Sequence, residues 1–190
     1  MLPQHVMHLE PIGYVASPRS EALDDDWGAV KASITLDSGR FAPDALAGLD
    51  EFSHVEVIYV FHLVDDDHVY TGARHPRDRA DWPEVGIFAQ RARMRPNRLG
   101  VTVCRLLGVT GMTLRVEGLD AVDGTPIIDL KPYLAEFGPR GAVRQPAWSH
   151  ELMAGYWGPP SERGAEAGPG PNSGRPQLPT SPQPLTTASS

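Results

Sequence analysis

Alternation of apolar and polar residues, repeated in several short stretches, is the feature that most restricts the fold of this chain. Residues 30–36 read VKASITL and residues 113–117 read TLRVE, and in both stretches every second residue is apolar. Successive side chains of a strand point to opposite faces, so each stretch predicts a half-buried strand. Further strand candidates are 12–16, 53–63, 85–89, 99–109 and 127–130.

Helical signals are weak by comparison. Residues 44–49 allow a turn or two of helix, and residues 149–156 predict a short terminal helix after Pro146. Many short strands separated by Gly- and Pro-bearing turns favour a β-barrel or a β-sandwich over a doubly wound sheet. The chain is therefore predicted to be mainly β, with short helices.

Composition divides the chain into two parts. Residues 1–157 contain all the predicted strands and are expected to form one folded domain. Residues 158–190 are dominated by Pro, Gly, Ser and Thr, and we expect them to be disordered because they cannot bury enough apolar surface to offset chain entropy. The GPGPNSG segment in this tail lacks the GxGxxG spacing of a nucleotide loop.

Charge and cysteine content narrow the class of partner and compartment. The net charge of −7 argues against a general polyanion binder, so any nucleic-acid contact is expected to be local. A single thiol, Cys104, cannot form an intramolecular disulfide, and the chain begins without a signal peptide. There is no long apolar run. These features predict a cytoplasmic protein without a membrane span.

Seven arginines fall between residues 74 and 98, against three acidic residues, which leaves a local charge of +4. The planar guanidinium group binds carboxylate and phosphate bidentately, so a converging cluster predicts a site for an anionic group. The alternative is a solvated loop. The arginines are Arg74, Arg77, Arg79, Arg91, Arg93, Arg95 and Arg98.

Histidines and carboxylates offer less specific signals. On a strand, His54 and His62 would share one face but would lie about 26 Å apart, so they cannot share a metal ion and we predict no metal site. The DGTP sequence at 123–126 predicts a tight turn, and Asp129 and Lys131 are expected to form a salt bridge. No GxSxG is present and Cys104 lies in an apolar strand, so a nucleophilic enzyme is poorly supported.

Four segments are similar in order to one family. They are IGYVASPR at 12–19, GLDEFSHVEVIYVFH at 48–62, VGIFAQRARMRPNRLG at 85–100 and LDAVDGTPIIDLKPY at 119–133. Together they resemble the TsaA-like, or TrmO-type, S-adenosylmethionine-dependent methyltransferases over about residues 8–135. The most specific part is GIFAxRxxxRPNxxG followed at a distance by DGTPxxDxKPY.

The resemblance implies a fold, a cofactor and an activity. It implies a compact β-barrel, neither Rossmann-like nor knotted, that forms a homodimer and holds S-adenosylmethionine near the subunit interface. Trp82 and Trp148 are expected to be exposed aromatics compatible with that interface. The best-known members methylate N6 of a threonylcarbamoylated adenosine beside the tRNA anticodon, which implies a tRNA-modifying enzyme.

The resemblance also implies the cofactor-binding residues, in two sets. The cofactor loop would comprise Phe88, Arg91, Arg95, Pro96, Asn97 and Gly100, and its opposite wall would comprise Asp123, Gly124 and Thr125. Methyl transfer from a sulfonium needs alignment and exclusion of water but no covalent nucleophile. If a base assists, the candidates are Asp120, Asp129 and His62.

Two alternatives concern what the site acts on. Residues 24–26 are three consecutive aspartates, which would repel phosphates near the site, so a small molecule or free nucleotide is the alternative acceptor to tRNA. A barrel that binds an adenosyl ligand without turnover is the non-enzymatic alternative. Conversion of S-adenosylmethionine to S-adenosylhomocysteine would separate the two classes.

Overall fold

The computed structural model describes residues 7–158 of the chain. The predicted disordered tail lies outside these residues, apart from Gly158. Among the described residues the regular elements are eight strands, one α-helix and several single 3₁₀ turns. They are β1 Gly13–Ala16, β2 Lys31–Leu36, β3 His54–Val60, β4 Ala73–Arg74, β5 Val85–Gly86, β6 Leu99–Thr110, β7 Thr113–Glu117, β8 Pro126–Pro132 and α1 Ala147–Met153.

Six of the strands close into a barrel in the order β1-β2-β7-β6-β3-β8. Every neighbouring pair is antiparallel, which excludes a Rossmann-type sheet. The prediction of a mainly β barrel with short helices is confirmed. β4 and β5 form a separate two-stranded sheet within the long connection from β3 to β6.

The barrel interior is filled by the apolar residues that the alternation identified. β2 buries its second, fourth and sixth residues, and β7 buries Leu114 and Val116 completely. On β3 the buried residues are Val55, Val57 and Tyr59, so His54 lies on the outer face. This core supplies most of the hydrophobic stabilisation, and it leaves the loops free to carry polar groups.

One end of the barrel gathers the loops that matter for function. Because all pairs are antiparallel, the ends of β1, β3 and β7 lie beside the starts of β2, β6 and β8. The register shows this directly, since Val60 pairs with Leu99 and Lys31 pairs with Glu117. The connection between β7 and β8 and the start of β6 therefore meet at this end.

Several predicted elements were wrong in extent. Only Val85–Gly86 of the predicted strand 85–89 is extended, because Ile87–Ala89 forms a 3₁₀ turn held by the Gln90 side chain, which donates to the carbonyl of Val85 at 2.9 Å. The terminal helix occupies Ala147–Met153 rather than 149–156. Residues 44–48 form turns that lead into the 3₁₀ turn Leu49–Glu51.

Trp82 was wrongly predicted to be exposed. It is only 4% exposed, because the Arg79 guanidinium lies 4.0 Å from its ring and its indole N–H donates to Glu151 of α1 at 2.8 Å. Trp148 is partly buried. Neither tryptophan marks an exposed interface.

No helix within residues 7–158 has the length and apolar character needed to span a bilayer.

Candidate functional site

Asp120, in the connection between β7 and β8, is the centre of a group of hydroxyl hydrogen bonds. Tyr59 donates to its Oδ1 at 2.6 Å and Thr102 donates to the same oxygen. Tyr156 donates to Oδ2 at 2.5 Å. Hydrogen bonds to an ionised acceptor are the stronger kind, so three donors hold this carboxylate in one orientation. We call these four residues the Asp120 wall.

The sequence builds this wall through the barrel. Tyr59 is an inward residue of β3 and is 1% exposed, so its ring reaches the barrel end from within the core. Gly100 is its cross-strand partner on β6, and a Cβ at Gly100 would lie 2.4 Å from the Tyr59 ring. Gly100 therefore makes room for Tyr59, and through Tyr59 it supports Asp120.

The hydroxyls of the wall are held in their protonated form. Burial, followed by the negative charge of Asp120 and the hydrogen bond to it, raises the pKa of Tyr59 well above its ordinary value. The same causes, in the same order, raise the pKa of Tyr156. Both phenols therefore act as donors to Asp120 at physiological pH.

Cys104 lies beneath this wall and is fully buried. Burial, and then the charge of Asp120, raises the pKa of its thiol, which keeps it protonated. A buried neutral thiol is a poor nucleophile, so Cys104 serves packing.

The DGT turn lies in the same connection as Asp120. The carboxylate of Asp123 accepts the backbone N–H of Ser17 at 2.9 Å, and Gly124 has a φ of 75°, which favours glycine. The Gly124 N–H donates to the carbonyl of Val15 at 2.9 Å, and Thr125 is 2% exposed. The turn thus ties the β7–β8 connection to the end of β1.

Residues 74–98, which we call the arginine segment, hold most of their charge in local pairs. Within residues 7–158, five of the seven arginines have a carboxylate partner. The pairs are Arg74 with Asp78, Arg77 with Asp24 and Asp25, Arg79 with Asp81, Arg93 with Asp24, and Arg98 with Asp66. The prediction that all seven converge on one anionic group is therefore wrong, because carboxylates of the chain compensate these five.

Arg91 and Arg95 differ from the other five. Among the described residues their partners are backbone carbonyls: Arg91 donates to Val101, and Arg95 donates to Gln90 at 3.3 Å. A carbonyl accepts a hydrogen bond but does not cancel the charge. These two arginines, both in the RxxxRPN motif, therefore keep an uncompensated positive charge.

The rest of the predicted cofactor loop surrounds these two arginines. Phe88 projects from the turn Ile87–Ala89 and is 75% exposed. The turn Pro96–Arg98 has left-handed conformations at Asn97 and Arg98, with φ of 64° and 51°. Asn97 adopts the conformation that its residue type was predicted to tolerate.

The two predicted halves of the site meet at the barrel end. Arg91 contacts the carbonyl of Val101, the neighbour of Thr102 in the Asp120 wall. The positive charges of Arg91 and Arg77 also act on Tyr156, where they oppose the rise in its pKa. A carboxylate and an uncompensated guanidinium thus lie within electrostatic range of one hydroxyl.

Two predicted catalytic residues lie away from this centre. Asp129 pairs with Ile58 on the outer face of the barrel and accepts a hydrogen bond from Lys131 at 2.5 Å, the salt bridge that the spacing predicted. This contact raises the pKa of Lys131. His62 is exposed beyond the end of β3, and within residues 7–158 its side chain has no hydrogen bond or ion pair. Of the three candidates, Asp120 has the organised surroundings.

The aspartates at 24–26 are mostly compensated. Arg77 forms a bidentate pair with Asp25, at 2.7 and 3.1 Å, and Arg93 approaches Asp24 at 3.3 Å. The Arg19 guanidinium lies 4.1 Å from the Trp27 ring and donates to the carbonyl of Asp25 at 2.8 Å. The predicted repulsion of phosphates by this triplet is therefore reduced.

Sequence reasoning missed three residues of the wall, namely Tyr59, Thr102 and Tyr156. The first two lie at inward strand positions, so a polar residue within an apolar alternation was the available signal. Tyr156 follows α1 and carried no signal, because only the tertiary fold brings it to Asp120.

Other features of the surface do not coincide with this site. Two shallow clefts, of about 220 and 230 Å³, are lined by residues such as Lys31 and Arg115 in one and Asp44 and Leu46 in the other, and by no predicted site residue. Within residues 7–158, no group of three or more His, Cys, Asp or Glu side chains could hold a metal ion.

The fold and the site together define the class. This is a small, closed antiparallel β-barrel domain that gathers a hydroxyl-held carboxylate and uncompensated arginines at one end. The family model described as the tRNA-methyltransferase O N-terminal domain matches residues 16–138. The chain therefore belongs to the tRNA-methyltransferase O N-terminal domain family.

Individual relatives agree with this assignment. The tRNA (adenine(37)-N6)-methyltransferase of Homo sapiens is 36% identical over 154 residues, which cover 76% of this chain and 34% of the relative. A "Probable S-adenosyl-L-methionine-binding protein" of Methanothermobacter thermautotrophicus is 35% identical, with 71% of this chain and 96% of the relative covered. The chain spans about a third of the length of the mammalian relatives that it matches.

A solved structure has the same fold. A crystal structure of TrmO from P. aeruginosa superposes with a TM-score of 0.62 and 27% identity, covering 78% of this chain and 64% of that one. The predicted resemblance is confirmed at the level of family and fold.

Proposed function

We propose that this chain binds S-adenosylmethionine and catalyses methyl transfer to N6 of an adenine in tRNA. The observation that carries the proposal is the pair of motif arginines, Arg91 and Arg95, which keep an uncompensated charge beside the Asp120 wall. The relatives named as tRNA (adenine(37)-N6)-methyltransferases support the acceptor, and those named for S-adenosylmethionine support the cofactor.

The residues present fit this cofactor in chemical kind. The exposed ring of Phe88 offers a surface on which an adenine stacks. Arg91 and Arg95 suit the carboxylate of the cofactor, and Asp120 suits its cationic groups. When bound, S-adenosylmethionine would supply an activated methyl group on a sulfonium.

The chain's own contribution is alignment and exclusion of water. Asp120 is held by three hydroxyls, so it can accept a hydrogen bond from a ligand N–H or O–H without reorienting. We propose Asp120 as the acid–base candidate. Asp129 and His62 become less favoured, because Asp129 is paired with Lys131 on the outer face and His62 lies exposed beyond β3.

The case for tRNA over a small-molecule acceptor depends on the aspartates at 24–26. Their repulsion of phosphates was the reason to favour a small acceptor, and Arg77 and Arg93 now account for Asp24 and Asp25. With a net charge of −7, the contact with tRNA would be local.

Two further properties belong to the proposal. A homodimer would place additional residues near the barrel end, and sedimentation equilibrium tests it directly: a mass of one chain at micromolar concentration would contradict it. A cytoplasmic location follows from action on tRNA, and fractionation of cells with an antibody against the protein checks it.

Calorimetry on the full chain tests cofactor binding. We expect S-adenosylmethionine to bind, and Arg95→Ala to lower the affinity at least about tenfold through loss of a charge-assisted contact. Arg79→Ala is the matched control, because Arg79 is compensated by Asp81 and lies outside the motif. Equal binding by the parent and Arg95→Ala would remove Arg95 from the site.

Turnover tests the enzyme and its acceptor. Purified protein, S-adenosylmethionine and either unmodified or threonylcarbamoylated tRNA would be incubated, and S-adenosylhomocysteine and N6-methyladenosine derivatives would be measured by mass spectrometry. We expect product with the threonylcarbamoylated tRNA. Cofactor binding without product from either tRNA would favour a small-molecule acceptor or a non-catalytic barrel.

A further inference from the structure

Tyr156 belongs to a segment that lies outside the matched family domain, residues 155–157, which we call the C-terminal strap. The strap is held by three backbone hydrogen bonds from the 26–28 segment: Asp26 to Gly155 at 3.1 Å, Trp27 to Tyr156 at 2.9 Å and Gly28 to Trp157 at 3.1 Å. The approach is close, since a Cβ at Gly28 would lie 2.1 Å from the Trp157 carbonyl oxygen. The strap is therefore seated at one defined position.

The strap delivers one hydroxyl to Asp120 from the side opposite in bonding terms to the barrel. Tyr59 and Thr102 both use Oδ1, whereas Tyr156 alone uses Oδ2. An ionised carboxylate has about four acceptor positions, so three donors leave one for a ligand. Tyr156 thus decides how the second oxygen is oriented, and the remaining acceptor position follows from it.

Charges of both signs act on the Tyr156 hydroxyl. Asp120 is in direct contact, and the positive charges of Arg91 and Arg77 reach the same group. Arg77 is already committed to Asp25, whereas Arg91 has only a carbonyl partner within residues 7–158. The free charges at this point are therefore one carboxylate and one guanidinium.

We propose that Asp120 and Arg91 recognise the zwitterionic amino-acid end of S-adenosylmethionine, and that Tyr156 is the positioning residue that orients Asp120 for it. A carboxylate pairs with the ammonium group and a guanidinium pairs with the carboxylate, so the two chain charges match the two ligand charges. The inference rests on the proposed function, because it concerns the same cofactor.

The test compares two probes that differ in this end alone. S-adenosylmethionine carries the charged amino-acid group, and 5′-methylthioadenosine keeps the adenosine and a methylthio group without it. Both would be titrated calorimetrically into the full-length parent, Tyr156→Phe and Asp120→Asn. Tyr14→Phe is the matched control, because Tyr14 is 55% exposed on β1 and away from Asp120. Thermal unfolding of each variant would establish that it is folded.

We expect Tyr156→Phe to weaken S-adenosylmethionine about tenfold, the effect of losing one oriented charge contact, and to leave 5′-methylthioadenosine within about twofold. Asp120→Asn should show the same selectivity with a larger loss. Equal losses for both probes would overturn the inference and indicate a general structural role, as would no loss for either. If the parent binds neither probe, the proposed function itself fails and the inference fails with it.

Discussion

The Asp120 wall and the arginine segment carry opposite charges to the same end of the barrel, but they are built differently. The wall is assembled from inward strand positions and the strap, with Tyr59 1% exposed and joined to Asp120 by buried hydroxyl contacts. The arginine segment lies on a surface excursion between β3 and β6 and is held by short ion pairs and 3₁₀ turns.

The difference has an energetic consequence. A buried hydrogen bond to a charged group is costly to break, because the remaining partner stays away from water. An exposed ion pair is screened by solvent and salt and contributes little. We therefore expect changes in the wall to alter the stability of the whole domain, and changes in the arginine segment to alter ligand binding with little effect on folding.

The largest expected effect is at Gly100. Gly100→Ala places a methyl group against the ring of Tyr59, which cannot withdraw because it is buried and hydrogen-bonded to Asp120. We expect the free energy of unfolding to fall by about 2 kcal/mol, measured by urea denaturation. Gly86→Ala is the control, because Gly86 in the arginine segment has no atom within 4 Å of a built Cβ. Similar losses for both would contradict the comparison.

The next effect is at Thr102. Thr102→Val removes a donor to Asp120 and keeps the shape of the side chain, so we expect a loss of about 1.5 kcal/mol in the free energy of unfolding. Thr113→Val is the matched control, since its hydroxyl bonds Thr35 on the exposed face. Denaturation curves for the two variants that coincide would show that the hydroxyl contact to Asp120 contributes nothing special.

A smaller effect is expected at the pair of Arg77 and Asp25. Their side chains are 24% and 41% exposed, so a double-mutant cycle with Arg77→Ala and Asp25→Ala should give a coupling of about 0.5 kcal/mol after allowance for screening. The coupling should shrink when the salt concentration is raised. A coupling that is large and independent of salt would mean that the arginine segment is as structural as the wall.

The smallest effect is at Asp81. Its hydrogen bond from Arg79 lowers the pKa of this carboxyl below the ordinary value near 3.8. A lowered folded-state pKa contributes stability that is present above the ordinary value and is lost as the pH falls through the lowered one. The parent should therefore unfold at a slightly higher temperature than Asp81→Asn at neutral pH, and the difference should disappear toward about pH 2. A difference that grows on acidification would contradict this sign.

Much of the barrel could be predicted from residue patterns. The alternation in 30–36 and 113–117 placed β2 and β7 within a residue, because an amphipathic strand has only one face that can be buried. The left-handed φ of Asn97 and Gly124 and the salt bridge of Asp129 with Lys131 were also predictable, since each depends on neighbours in sequence.

Contacts between distant segments could not be predicted in this way. The sequence spacing gave no reason for Arg77 to meet Asp25, 52 residues away, or for Trp82 to be covered by Glu151 across 69 residues. The arginine cluster was predicted to share one target, and it was instead divided among separate carboxylates. Charge composition counts such groups but does not pair them.

The sequence by itself determined the strands, the turns and the family of this protein, because these depend on local backbone preferences and on short motifs. Only the tertiary structure decided which charges remain free, that Asp120 is held by Tyr59, Thr102 and Tyr156, and that the strap completes the site. Closing the barrel brings residues from four separate segments to one end, and the charge that each residue keeps depends on the partners it meets there.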